Sequence, residues 1–232
     1  MAEIVVIYGR SGAGKSRSLI NFAEDEIFLI KTVDKRLPFP KTFKYTMTTD
    51  NVDLMLQKMA NMPTKVAVID DAGFVMTNKF MREHSTPKFG SDQFKLYNEI
   101  ADSFYKLVMT AKQLPDDVIV YLILHEEESD MNGSVKLKTI GKLLDQKCPI
   151  ESMVTICLRC MIEGEKHIFR TQNSGVDISK SPEGMFDDVI ENDLKAVDTA
   201  IRSYWGISSQ AGPEVAKKGR NVQITQSNRV GD

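Results

Sequence analysis

The sequence predicts an α/β protein with a mainly parallel sheet and helices on both of its faces. Three observations carry that prediction. Apolar runs of strand length alternate with stretches of helical periodicity. Three of the runs, Ile4–Ile7, Val66–Ile69 and Val118–Leu124, are almost continuously apolar, as strands covered on both faces are. The third is composition: 232 residues, 42% hydrophobic and 27% charged, enough chain to bury a core without a disulfide or metal staple.

The elements follow in order along the chain. Ile4–Tyr8 reads as the first strand, and a glycine-rich turn then leads into a helix over Ser16–Glu24. Ile27–Val33 is the second strand. Val52, Met55, Leu56 and Met59 fall at i, i+3, i+4 and i+7, a helix for which Asp50 is a suitable N-cap. Val66–Ile69 is a buried strand, and Phe74–Gly90 is polar, unperiodic and reads as a long loop. Ile100, Phe104, Leu107, Val108 and Ala111 mark a helix that opens after Ser91 or Asp92 and ends before Pro115. Val118–Leu124 is the next strand, and Glu126–Gly141 reads as a second long loop. Met153–Cys160 and His167–Thr171 are later strands, and Leu194, Val197, Ile201 and Tyr204 define a last helix opening near Asn192. One domain is expected over 1–206, followed by a flexible tail over 207–232 that has no aromatic residue.

Charge and cysteine usage exclude several classes. Thirty Lys plus Arg against 32 Asp plus Glu give a net charge of −2, which rules out a strongly basic DNA-coating protein but not a local basic groove. No apolar run approaches the ~20 residues of a membrane span, and no basic region precedes the first apolar stretch. A cytoplasmic chain is expected. Cys157 and Cys160 have CxxC spacing, but positions three apart on a strand face opposite ways and no second ligand pair follows. They are read as buried thiols.

The chemistry lies after the first strand. Gly9-Arg10-Ser11-Gly12-Ala13-Gly14-Lys15-Ser16 matches GxxxxGK[ST] in full, between a buried strand and a helix. Glycines let backbone N–H groups converge on phosphate oxygens, and a helix start adds unpaired N–H groups. Nucleotide contacts are therefore assigned to Gly9, Ser11, Gly12, Ala13, Gly14, Lys15, Ser16 and Arg17. Lys15 reaches the β- and γ-phosphates of ATP and the Ser16 hydroxyl serves Mg²⁺. Val66-Ala67-Val68-Ile69-Asp70-Asp71 places two acids at the mouth of the sheet, where open α/β sheets bind ligands. Asp70 is assigned to Mg²⁺, and Asp71 to orienting or deprotonating the attacking water, with Asp34 and Glu126–Glu128 as competitors for that role. His125, at the end of its strand, is placed to sense the γ-phosphate.

The phosphate motif, LPFP at Leu37–Pro40, the Asp70-Asp71 and His125 strand ends, and FRTQN…SKSPEGMF…IENDLKAVD resemble the phage Sak-type recombination ATPases. The segment Thr171–Asp198 makes the resemblance specific, and it extends over about Ile4 to Trp205. Members of that family commonly carry TAKSP where this chain has Asp177-Ile178-Ser179-Lys180-Ser181-Pro182; the lysine is kept and the flanking small residues differ. The resemblance implies a RecA-like P-loop core, ATP hydrolysis, single-stranded DNA binding, and self-assembly as a ring or filament. It also points to Lys180 as a cation offered to a neighbouring subunit's site, ahead of Arg159 and Arg170. Lys136, Lys138 and Lys142 cluster in or beside the loop after His125 and are the expected DNA-phosphate contacts. Phe80, Arg82, His84 and Lys88 form a second candidate patch. Two alternatives stand beside this reading. One is a non-hydrolysing, nucleotide-gated module for DNA packaging or replication, or for assembly with a single-strand-binding protein; the other is a small-molecule kinase. Strand order separates the kinase: the Val118–Leu124 strand is expected between the other two buried strands, and a kinase would lack that insertion.

Overall fold

The computed structural model describes residues 1–85, 93–128 and 133–207. The tail expected from 207 onward falls outside them after Ile207, as do Lys88 and the expected cap positions Ser91 and Asp92. Six strands form the parallel body of the sheet: β1 (Glu3–Gly9), β2 (Ile27–Lys31), β3 (Tyr45–Thr48), β4 (Val66–Asp70), β5 (Ile119–Glu128) and β7 (Ile156–Glu163). β6 (Val135–Leu137) pairs antiparallel with β5, and at one edge β8 (Lys166–Arg170) runs antiparallel to β7 and to β9 (Val189–Glu191), so that β9 again follows the direction of the body. The order is β3-β2-β4-β5-β1-β7-β8-β9. β5 thus lies between β1 and β4, as the sequence predicts.

Alternation along each strand sends its apolar side chains into two cores. Ile4, Val6, Tyr8, Ile69, Val120 and Leu122 face α1 (Val52–Met59), α2 (Phe74–Glu83) and α3 (Gln93–Ala111). Val5, Ile7, Val68, Tyr121 and Ile123 face Leu19, Phe22 and α4 (Leu194–Trp205). Cys157 belongs to the first core and Cys160 to the second, so the two thiols diverge and both are free.

Several expectations need correction. Phe74–Gly90 is not a loop throughout, because α2 occupies Phe74–Glu83. Of that helix only Val75 and Met76 are buried. Its outer turns are held instead by Phe80 stacked on Tyr97 and by Lys79 paired with Glu83 and Glu99; contacts of this kind leave no apolar period. Nor is Glu126–Gly141 an open loop. β5 continues through Glu128 and forms a hairpin with β6, with Glu127 opposite Lys136. The period is hidden because the inward side chain is a carboxylate, Glu126. His125 is consequently inside β5 and not at its end. The strand expected from Met153 begins at Ile156, after a 3-10 turn over Ile150–Met153. β3 and β9 are short strands that the sequence reading did not find. Asn51, not Asp50, caps α1 by accepting the Leu54 N–H, while Asp50 pairs with Arg82. Asp193 caps α4, and Gly206 closes it in the left-handed region.

The largest departure concerns the helix expected over Ser16–Glu24, which is one 3-10 turn, Ser16–Leu19. The Lys41 ammonium donates to the carbonyls of Ile20 and Phe22, which a continuing helix would need for its own N–H groups. Glu26 accepts the Ala23 N–H, and Leu19 and Phe22 are both fully buried. The chain therefore turns early to enter β2 at Ile27. Among the described residues no helix is long and apolar enough to cross a membrane.

Candidate active site

Register brings the site together before any side chain is considered. Gly9 pairs with His125 across β1 and β5, and Lys31 pairs with Asp70 across β2 and β4. The C-terminal ends of four parallel strands thus converge around the glycine loop. A Cβ at Gly9 would collide with the Cys160 carbonyl, and one at Gly14 would lie 2.7 Å from His167 Nδ1. Gly14 also has φ +103°, in the region that favours glycine. The loop is fixed from β7 and β8: the Ala13 carbonyl accepts from Cys160 Sγ at 3.1 Å and from His167 Nδ1, which must carry the proton, at 2.7 Å.

Lys15 is buried, and its ammonium donates to the carbonyls of Gly9 and Arg10, both at 2.8 Å. Burial lowers its pKa, opposed by nearby acidic groups. The Ser16 hydroxyl donates to Asp70 Oδ1 at 2.8 Å. Asp70 Oδ2 is buried with no hydrogen-bond partner. Burial raises the Asp70 pKa, the adjacent Asp71 charge adds to this, and Ser16 opposes it. A hydroxyl and an unpaired carboxylate oxygen side by side are hard oxygen donors of the kind Mg²⁺ takes. No group of three or more His, Cys, Asp or Glu among the described residues could hold a metal by itself, so phosphate oxygens would have to complete any such site.

Asp71 is the one described non-glycine residue with positive φ, +56°. Its Oδ1 lies 3.3 Å from His125 Nε2, and its Oδ2 is ion-paired with the Lys35 ammonium. Burial alone would raise its pKa; the hydrogen bonds from His125 and Lys35 and the charge of Lys35 override that and hold it at about 2. A cavity of about 330 Å³ joins these groups and is lined by Gly12, Lys15, Ser16, Lys35, Asp71 and His125, among others. Ser11, Gly14 and Arg17 line it too, as do Arg36, Pro38 and His167. A wider groove of about 750 Å³ beside β2 and β3 shares Lys35 and Arg36 with it but holds none of the motif residues.

The remaining predicted residues lie elsewhere. Lys180 does not line the 330 Å³ cavity beside the glycine loop; its backbone bridges to Cys157. Arg159 is committed within the chain, forming two hydrogen bonds to Glu126 at 2.8 and 3.0 Å. Glu126, only 3% exposed and also paired with Arg10, is thereby removed as a candidate base. Asp34 is exposed and paired with Lys31. Lys136 is ion-paired with Asp145 at 2.7 Å. Lys138 and Lys142 are exposed, and the Lys138 N–H donates to the His125 carbonyl at 2.9 Å. In the second patch, Phe80 stacks with His84 and Arg82 pairs with Asp50. Sequence reasoning missed Lys35, Arg36 and His167. The first two lie four and five residues past the end of β2 at the sheet mouth, which is a readable signal; His167 lies on an antiparallel strand whose register is not. No protein-family model matches the chain, and no curated protein matches it at a significant level.

Proposed function

We propose that this chain is a RecA-like P-loop ATPase acting on single-stranded DNA, of the recombination type its sequence resembles. The observation that carries the nucleotide part is the junction of a complete phosphate motif with Ser16 hydrogen-bonded to Asp70, whose second oxygen has no partner. Ser16 and Asp70 would hold Mg²⁺, which would neutralise charge on the β- and γ-phosphates. Lys15 would exchange its loop carbonyls for phosphate oxygens. Water would attack the γ-phosphorus, the bond to the bridging oxygen would break, and ADP would leave with inorganic phosphate as the second product. Asp71, held near pKa 2, is suited to orienting that water and is a weak proton acceptor. The strand order, with β5 between β1 and β4, supports the RecA-like reading over a kinase.

The DNA part is supported by the resemblance and by the exposed Lys138 and Lys142, which follow β6, the strand paired with the His125 strand. Assembly of several copies, with Lys180 reaching a neighbour's nucleotide, belongs to the same proposal. Phosphate release from ATP and Mg²⁺, measured with and without single-stranded DNA, tests it. Turnover should rise with DNA, and Lys15→Ala should abolish both nucleotide affinity and turnover. Nucleotide binding without turnover in either condition would favour the nucleotide-gated module instead.

A further inference from the structure

We infer that Lys35 is a γ-phosphate-binding residue, held on Asp71 until a nucleoside triphosphate displaces it. The site then distinguishes triphosphate from diphosphate within a single chain. The inference rests on the nucleotide reading above and deepens it.

Four observations place Lys35 in this role. Lys35 follows β2, and that segment is fastened to the Asp70-Asp71 turn by Thr32. The Thr32 hydroxyl donates to the Asp71 carbonyl at 2.7 Å and to the Asp70 carbonyl at 3.2 Å, and its N–H to the Asp70 carbonyl at 3.3 Å. Lys35 therefore has a fixed root directly over the acids. Second, its side chain lines the phosphate cavity together with Lys15, Ser16 and His125. Third, the two oxygens of Asp71 are divided: Oδ2 takes Lys35 and Oδ1 takes His125. Lys35 can leave without releasing the carboxylate from β5. Fourth, the Lys35 side chain is 47% exposed while Asp71 is nearly buried. A half-exposed ammonium is released at little cost, and a terminal phosphate offers more negative charge than one carboxylate. Lys15, by contrast, is buried and tied to loop carbonyls at the base of the site.

The consequence is an exchange of partners. A triphosphate draws Lys35 off Asp71 and leaves Oδ2 facing the γ-phosphate, while His125 keeps Oδ1 in place. A diphosphate lacks the group that Lys35 would meet, so the ion pair persists. Lys35 thus supplies a cation in cis, from outside the phosphate motif, besides the one that Lys180 of a neighbouring copy would offer.

Equilibrium binding of Mg·ADP and of a non-hydrolysable Mg·ATP analogue to the full chain tests this, with the parent, Lys35→Ala and Lys35→Arg. Thermal melts confirm that the variants are folded. Lys35→Ala should weaken the triphosphate analogue at least fivefold while ADP changes less than twofold, and Lys35→Arg should recover part of the loss. Equal weakening of both nucleotides, or no change in either, overturns the role of Lys35. A parent that binds neither nucleotide overturns the nucleotide reading itself, and the inference falls with it.

Discussion

At Asp71 a left-handed backbone, an ion pair and a histidine contact coincide on one residue. Aspartate tolerates that backbone region better than most side chains, but the conformation persists only where its surroundings enforce it. Thr32 does so by holding its carbonyl, and His125 and Lys35 hold its carboxylate. Asp71→Asn should leave ADP affinity within about threefold and lower turnover tenfold or more, about 1.4 kcal/mol or above on the barrier. Single-turnover hydrolysis reads this directly. Parent-like turnover would pass the water-orienting role to Asp34, since Glu126 is locked by Arg159. The buried thiols give a pH-dependent prediction. Burial pushes Cys157 and Cys160 up to about 12. Their folded pKa exceeds the unfolded value, so the stabilisation is complete below about pH 8.5 and falls as pH rises toward 12. At pH 8 a thiol reagent should therefore modify Cys148 alone, with Cys157 and Cys160 reacting only after denaturation. Rapid labelling of three thiols in the folded chain would contradict the buried assignment.

Among the elements, the β5–β6 hairpin bears most directly on the site. β5 carries His125 beside the glycine loop and then Glu126, whose carboxylate is buried against Arg159 of β7 and paired with Arg10 of the loop. This joins the phosphate loop, β5 and β7 into one charged cluster. Removing Arg159 strands a buried carboxylate, whereas removing the exposed Arg10 leaves Glu126 its main partner. Arg159→Ala should thus destabilise the fold by roughly 3–5 kcal/mol, and Arg10→Ala by less than about 1 kcal/mol. Urea midpoints at unchanged slope separate the two. Similar losses for both would mean that Arg10 holds Glu126 as firmly as Arg159 does. The shortened helix after Ser16 matters at the same scale. A single 3-10 turn contributes little aligned dipole, so in the proposed function phosphate recognition would fall to the loop N–H groups, Lys15 and the cations at the sheet mouth.

For the whole molecule, the charge distribution sets what DNA binding can look like. The net charge is −2, so no global attraction to a polyanion exists and affinity must come from a few local cations. Lys136 is already paired with Asp145, while Lys138 and Lys142 are exposed. Binding to single-stranded DNA should therefore be modest and fall steeply with salt. Lys138→Ala with Lys142→Ala should flatten the logarithmic salt slope by about 1.4 for two lost phosphate contacts, and Lys136→Ala alone by less. Titrations at several salt concentrations measure this, with basal ATP hydrolysis unchanged because none of the three lines the phosphate cavity. Identical slopes for parent and double variant would place the DNA surface elsewhere.

The sheet and the glycine-rich turn after β1 were legible in the sequence because both have local signals. A short, continuous apolar run reads as a buried strand from its own residues, and the glycine spacing of Gly9–Ser16 marks a tight turn by itself, although Cys160 and His167 fix that turn in place. The Asp70-Asp71 strand end was legible for the same reason, and alternation alone placed Cys157 and Cys160 on opposite faces. The hairpin after His125, the helix at Phe74, the early stop after Leu19 and the place of Lys35 were decided by tertiary structure. Each depends on a partner distant in the chain: Arg159 for Glu126, Tyr97 for Phe80, Lys41 for the carbonyls of Ile20 and Phe22, and Asp71 for Lys35. Apolar burial leaves a period that can be read along a sequence. Ion pairs, ring stacks and ammonium–carbonyl bonds between distant residues leave none, because one charge or ring at one position satisfies them.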